Sequence, residues 1–314
     1  MSTQPYLRYP HIHSNTVTFT ADDGIWLAPS AGGRAWRLTN DRATVRTPRF
    51  SPDGASLAYV GEADGHPEIF LAEIDTGTVR RLTYWANPLT SLLGWGLDGR
   101  LLTATNAGEA PRHLVVRALD TAGAWERLPY SPVSGMAISA SGTVVVSTHN
   151  MRPHAHWKRY RGGTAPRLWA DPQSTGAWTK LLPRETAGLV DPMFMGETLL
   201  FTSDRAATFP HHTREQANIW IWDDWQNSDA QPRQLTFQTE QEGYVRDATT
   251  NGTSITWHSR GNVWILDDVD AEPRKLQVSL PGTSPQPVTA DVKKNLRAVV
   301  PDHGADSSLV SWRG

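Results

Sequence analysis

Apolar residues along this chain come in short bursts, most of them too short and too widely broken to be helices. Thr47–Tyr84 shows the pattern most clearly. Apolar or alternating runs at Arg49–Phe50, Ser56–Val60, Glu68–Ile74 and Val79–Thr83 are separated by Pro52-Asp53-Gly54, Ala63-Asp64-Gly65 and Asp75-Thr76-Gly77. Proline presets φ and glycine takes the φ > 0 position, so these triplets read as tight turns. The pattern predicts four strands in one antiparallel meander. A sheet with apolar residues on both faces needs neighbours to cover it.

The neighbours recur along the chain. Arg81-Leu82-Thr83 has counterparts at Arg37-Leu38-Thr39, Arg127-Leu128-Pro129, Lys180-Leu181-Leu182, Gln234-Leu235-Thr236 and Lys275-Leu276-Gln277, with the leucines 44, 46, 53, 54 and 41 residues apart. A second mark keeps the same period: Ile25-Trp26-Leu27, Ile69-Phe70-Leu71, Leu114-Val115-Val116, Arg167-Leu168-Trp169, Ile219-Trp220-Ile221 and Val263-Trp264-Ile265. A period of roughly 40–50 residues with four strands per unit predicts an all-β chain folded as a six-bladed β-propeller of four-stranded antiparallel blades. The blades are placed at about 6–40, 47–84, 92–130, 135–183, 191–237 and 244–277.

Both the first and the sixth units have all four strands in sequence. No strand is left to act as a clasp, so blade-to-blade packing is expected to close the ring. Residues 278–314 read as a linker and the unfinished start of a second propeller. Its half-built sheet would leave edges unpaired. The chain is therefore expected to be the N-terminal part of a longer protein, which an intact mass of the native product would check.

Blades four and five are long because of insertions between their second and third strands, at His149–Arg167 and Ser203–Asn218. Long loops on a rigid repeat are where function concentrates. The first carries Trp157, Lys158, Arg159, Tyr160 and Arg161. This basic and aromatic cluster could meet peptide carboxylates or acidic side chains of another domain or subunit. The plainer reading is a loop pinned by its own Trp and Tyr.

Composition narrows the classes. A net charge of −2 disfavours a nucleic-acid or anionic-membrane partner. The absence of cysteine removes disulfide and thiolate chemistry. The N-terminus lacks a secretory pattern and no apolar run is long enough to span a membrane, so a cytoplasmic protein is expected. Fourteen tryptophans are many; several fall on the third-strand repeat, where packing is their first role. No nucleophile elbow, H-E-x-x-H or phosphate loop is present. The histidine pairs 11/13, 154/156 and 211/212 lack a third ligand with its own spacing signal, so no metal and no cofactor is expected.

The Ser51-Pro52-Asp53-Gly54, Leu57-Ala58-Tyr59 and Arg81-Leu82-Thr83 sequence resembles the TolB-like or WD40-like repeat. A more specific resemblance lies in His156-Trp157-Lys158-Arg159-Tyr160-Arg161-Gly162-Gly163-Thr164, followed by Leu168-Trp169. Together with Tyr9-Pro10-His11-Ile12-His13, Asp23-Gly24-Ile25-Trp26 and the tail at 309–314, it is similar to the N-terminal propeller of the tricorn protease family. That resemblance implies an open six-bladed propeller, then a seven-bladed one, a PDZ-like domain and a serine peptidase core, in a hexamer degrading oligopeptides. The catalytic Ser and His would lie in the C-terminal part, so no catalytic residue is expected here. The propeller would serve as a peptide channel and docking surface, with His156, Trp157, Lys158, Arg159, Tyr160 and Arg161 as peptide or partner contacts. The 203–218 insertion matches no motif of the family. The alternative is a free-standing TolB-like scaffold for protein–protein interaction. A third class, a metal-dependent hydrolase using the axial pocket, needs converging Asp, Glu, Asn and His. The segments Pro48–Ser51, Leu93–Gly96, Met136–Ser139 and Met193–Met195 supply almost none.

Overall fold

The computed structural model describes residues 6–40, 43–111, 113–148, 158–210, 212–281, 296–301 and 308–312. They fall into two units, Met1–Pro281 and Gly282–Gly314. The first is the six-bladed all-β propeller the repeat predicts. Each blade is a four-stranded antiparallel sheet built from consecutive chain, and in blade five the four strands bracket an extra hairpin.

Blade two shows why the sequence folds this way. Its strands are Val45–Phe50, Ser56–Gly61, Glu68–Glu73 and Val79–Arg81. At the first turn Ser51 Oγ donates to Asp53 Oδ1 at 2.5 Å and accepts from the Ser56 amide at 3.0 Å. Gly54 sits at φ +74°, and a Cβ there would lie 2.4 Å from the His13 ring, so only glycine fits. The Arg-Leu-Thr mark is a latch on the third strand. Leu82 N donates to the Ile69 carbonyl at 2.8 Å, and Ile69 N donates to Thr83 Oγ1 at 2.9 Å. The leucine half of this latch recurs in every blade, from Leu38 on Ile25 to Leu276 on Val263. That shared hydrogen bond is the reason for the leucine period.

The core lies between blades. Six clusters of buried side chains occupy the six interfaces, each drawn from two adjacent sheets. The interface between blades six and one joins Val263, Ile265 and Leu276 to Ile12, Phe19 and Trp26. Among the described residues no blade borrows a strand from the other terminus, as expected. The seam is also tied by main chain: Val278–Ser279 pairs in parallel with Gly33–Arg34, and Leu7 N donates to the Gly261 carbonyl at 2.8 Å. This pairing carries the first unit on to Pro281.

In the second unit Leu296–Pro301 pairs antiparallel with Ser308–Trp312.

Candidate functional site

The innermost strands of the six blades surround an axial cavity of about 740 Å³. Its wall is interrupted in a regular way. The pairing of the first and second strands slips by a β-bulge in blades one, two, three, five and six. At each slip a residue takes positive φ: Tyr9 (52°), Thr47 (50°), Gly94 (150°), Asp191 (47°) and Asp247 (51°). Bulges re-aim side chains, and the cost of the left-handed conformation is highest for β-branched Thr47. All five residues line the cavity. Three of them precede proline, at Pro10, Pro48 and Pro192.

The bulges give the wall an uneven charge. Blades one and two contribute His11, His13, Arg46 and Arg49; blades five and six contribute Asp191 and Asp247; blades three and four contribute apolar Leu92, Leu93, Met136 and Ile138. The inner-strand segments read from sequence began too late to include Arg46 and Asp191, and none was named for blade six, which carries Asp247. Blade two's inner strand starts at Val45, ahead of the expected Arg49, because the bulge breaks the alternation that marks a strand. The recurrence of Tyr-Pro, Thr-Pro and Asp-Pro at one place in the repeat could have found Asp191 and the start of the strand beside Arg46; Asp247, followed by alanine, carries no such mark.

Two histidines stitch neighbouring blades, half-buried His11 on this wall and buried His258 on the second strand of blade six. His11 Nδ1 accepts from the Phe50 amide at 3.1 Å, and His258 Nδ1 accepts from the Tyr9 amide at 2.9 Å. An accepting Nδ1 places the proton of the neutral ring on Nε2. In His258 that nitrogen lies 3.5 Å from Asp247 Oδ2. Burial, reinforced by Arg246 and Arg8, lowers the His258 pKa to about 3 against a weaker opposing pull from Asp191. Burial, then Arg49 and His13, holds His11 well below the ordinary range. His11 and His13 both pack against Phe50, with ring centroids 5.8 and 5.7 Å away. Among the described residues no group of three metal-ligating side chains is found.

The two insertions meet each other. In blade five the 203–218 segment forms a hairpin, Ala206–Phe209 with His212–Glu215. The blade-four loop packs against it. Arg159 N donates to Asp204 Oδ2 at 2.5 Å, and Arg159 Nε donates to the Glu215 carbonyl at 2.9 Å. Arg161 pairs with Asp204 at 3.1 Å and with Glu215 at 3.0 Å. Arg159 reaches Glu240 at 3.4 Å, which also pairs with Arg214 at 2.7 Å. Lys158 lies over the Tyr244 ring at 4.6 Å, and burial lowers its pKa. Burial raises the Asp204 pKa, opposed by the Arg159 amide and Arg161. Tyr160 Oη accepts from Thr164 Oγ1 at 3.0 Å. Of the six loop residues singled out from sequence, Lys158, Arg159 and Arg161 thus converge on blade five and the entry to blade six, while the Tyr160 hydroxyl bonds within its own loop. His156, Trp157 and the pair partners His154 and His211 lie outside the described residues.

An open six-bladed propeller with an axial cavity of mixed polarity and two docked insertions defines the class of this protein. Residues 4–272 match the model of the tricorn protease N-terminal β-propeller domain. The chain belongs to that family. It is 38% identical over 322 residues to the tricorn protease homolog 1 of Streptomyces coelicolor, covering 99% of this chain and 29% of that protein. It is 22% identical over 281 residues to the tricorn protease of Thermoplasma acidophilum, covering 86% of this chain and 25% of that protein. The chain therefore spans less than a third of either of these two relatives. The fold superposes on a crystal structure of the tricorn protease with a TM-score of 0.80 at 22% identity, over 95% of this chain and 29% of that one. TolB from Acinetobacter baumannii shares the fold at a TM-score of 0.58 and 16% identity, over 86% of this chain and 64% of that one.

Proposed function

We propose that this propeller is a non-catalytic passage for short peptides within a longer tricorn-type serine protease that works in the cytoplasm as a hexamer. In this reading the second unit opens a further propeller, and the peptidase core follows it. One observation carries the reading: the cavity follows the propeller axis and is lined by the inner strands of all six blades. A passage needs a wall that holds its shape while peptides move along it. Histidine and threonine hydrogen bonds between neighbouring blades supply that rigidity, including Thr249 Oγ1 to the Pro10 carbonyl at 3.0 Å. The docked insertions offer an outer surface, Lys158 to Arg161 and the facing hairpin, for contact with peptides or with other domains.

The test uses the longer protein. Leu93→Trp and Met136→Trp fill the apolar side of the cavity without touching its charged groups. Hydrolysis of short peptides should fall several-fold while folding, followed by circular dichroism, is retained. Unchanged turnover in both folded variants would refute the passage. This 314-residue chain alone should cleave nothing, since no catalytic residue is assigned to it.

A further inference from the structure

Blades one, two, five and six share a cross-strand pair just ahead of the inner-strand bulge. It is Arg8 with Thr20, Arg46 with Val60, Val190 with Thr202 and Arg246 with His258. Three of these pairs include a long arginine. In blade six His258 also reaches the next blade through the Tyr9 amide, and in blade one Thr20 Oγ1 donates to the Arg8 carbonyl at 3.2 Å. Blade five has two short side chains instead. Val190 and Thr202 line a second cavity, of about 50 Å³, between blades five and six. Thr202 is 2% exposed, and its hydroxyl has no partner among the described residues. Threonine hydroxyls donate as well as accept, so this wall offers a buried donor.

The other walls carry charge. Lys158 comes from the blade-four insertion and Arg246 from blade six; both lie near the Tyr244 ring, at 4.6 and 5.9 Å from its centre. Asp191 and Asp204 line the cavity too. Asp204 is already engaged by the Arg159 amide and by Arg161. The sign of the field is decided at Lys158. After burial, the charges that lower its pKa are three arginines, Arg246, Arg159 and Arg260. Its surroundings are therefore net positive and favour an anion over a second cation. Size narrows the ligand further. A cavity of ~150 Å³ is needed to take up benzene, so about 50 Å³ suits one small ion with a water or two.

We infer that this cavity binds a small monovalent anion of chloride size, with the Thr202 hydroxyl, the Lys158 ammonium and the Arg246 guanidinium as its donors. Sulfate and phosphate are disfavoured twice, by volume and by repulsion of a dianion from Asp191 and Asp204. The anion ties the blade-four insertion to blades five and six through Lys158, beside the pairing of Arg161 with Asp204 and Glu215. The docking of the insertion thereby becomes sensitive to halide. This site does not depend on the passage reading.

The test is a bromide titration of this chain at constant ionic strength, with sodium bromide replacing sodium gluconate, followed as the melting temperature. Thr202→Val removes the hydroxyl at nearly constant volume, and Val60 holds the same place in blade two, so the variant should fold. The difference in melting temperature between the two chains cancels the general effect of salt. That difference should grow with bromide and level off, as for a ligand bound only by the folded state. Lys158→Met should move the half-saturation point at least about tenfold higher, which is 1.4 kcal/mol. Crystals soaked in bromide should show an anomalous peak between Thr202 and Lys158, and sulfate should not displace it. A melting difference that ignores bromide overturns the site, as does an unchanged half-saturation point in folded Lys158→Met. So does a soaked crystal with no bromide in this cavity. Displacement by sulfate would mark a general anion patch and overturn the monovalent assignment.

Discussion

Blades two and five build the same latch with different chemistry. In both, the first residue of the third strand is buried and accepts two hydrogen bonds from the segment after the fourth strand. In blade two it is Glu68, which accepts from the Thr83 hydroxyl and from the Ala86 amide at 2.7 Å. In blade five it is Asn218, whose Oδ1 accepts from Thr236 Oγ1 at 3.0 Å and from the Gln238 amide at 2.7 Å. The residue before the latch leucine changes in step. Arg81 sits 3.2 Å from Glu68 and donates to the Thr83 carbonyl at 2.7 Å, whereas Gln234 donates to the Thr236 carbonyl at 2.9 Å. The position demands an acceptor for two donors, and charge is allowed there only when a cation accompanies it. Blade one departs from this rule. It has Gly24 at this place, and the Arg37 guanidinium fills the space a side chain would take.

The comparison can be broken most forcefully at Glu68. Glu68→Ala orphans two donors and strips Arg81 of its buried partner, so a loss of roughly 3–5 kcal/mol is expected in denaturant melts. Asn218→Ala removes a neutral acceptor only and should cost about 1–3 kcal/mol. Equal losses would show that the charge in blade two is incidental. A sharper version is Asn218→Asp, which buries a carboxylate beside neutral Gln234. It should destabilise by about 2–3 kcal/mol near neutral pH. The second change Gln234→Arg should restore most of that by recreating blade two's pairing. Failure of the double variant to recover would mean that backbone spacing, rather than charge balance, separates the two blades.

The same demand for an acceptor predicts a pH response at the seam. His258 must stay neutral to accept from Tyr9, and its folded pKa, about 3, lies below the unfolded value near 6.5. As pH falls through that window the unfolded chain binds the proton first, so stability drops, by up to about 1.4 kcal/mol per pH unit for this one group. Above pH 6.5 the contribution is fully present. His258→Gln should flatten the acid limb of a plot of Tm against pH, and an unaltered slope would assign that limb to other groups. The smallest effect belongs to the exposed pair of Arg214 and Glu240, 46% and 44% accessible at their side chains. Arg214→Ala should cost less than about 1 kcal/mol and become neutral in high salt.

Much of the molecule was legible in the sequence because a propeller repeats its local rules. The leucine period, the turn triplets and the third-strand aromatics each report one hydrogen bond or one packing position that every blade must satisfy. The positions of both insertions, and the absence of a strand clasp, followed from counting strands. The channel wall was not legible to the same degree. Alternation of apolar and polar residues identifies a strand only while the strand is regular, and the inner strands of five blades are bulged where they line the cavity. Arg46 therefore fell just outside the expected second blade, and Asp191 and Asp247, though inside the expected fifth and sixth blades, were not recognised as wall residues.

What the chain determines by itself is the number of blades, their order and their turns, since these depend on contacts within about 45 residues. What only the tertiary structure decides is which residues share the axis. Tyr9 meets His258 across 249 positions, and His11, Arg49, Asp191 and Asp247 line one cavity from four different blades. Ring closure brings them together, and no local pattern records the partner. The loop at Arg159 and Arg161 shows the same division. Its basic character is plain in the sequence, yet its nearest acids, Asp204, Glu215 and Glu240, belong to the hairpin and loop of the next blade.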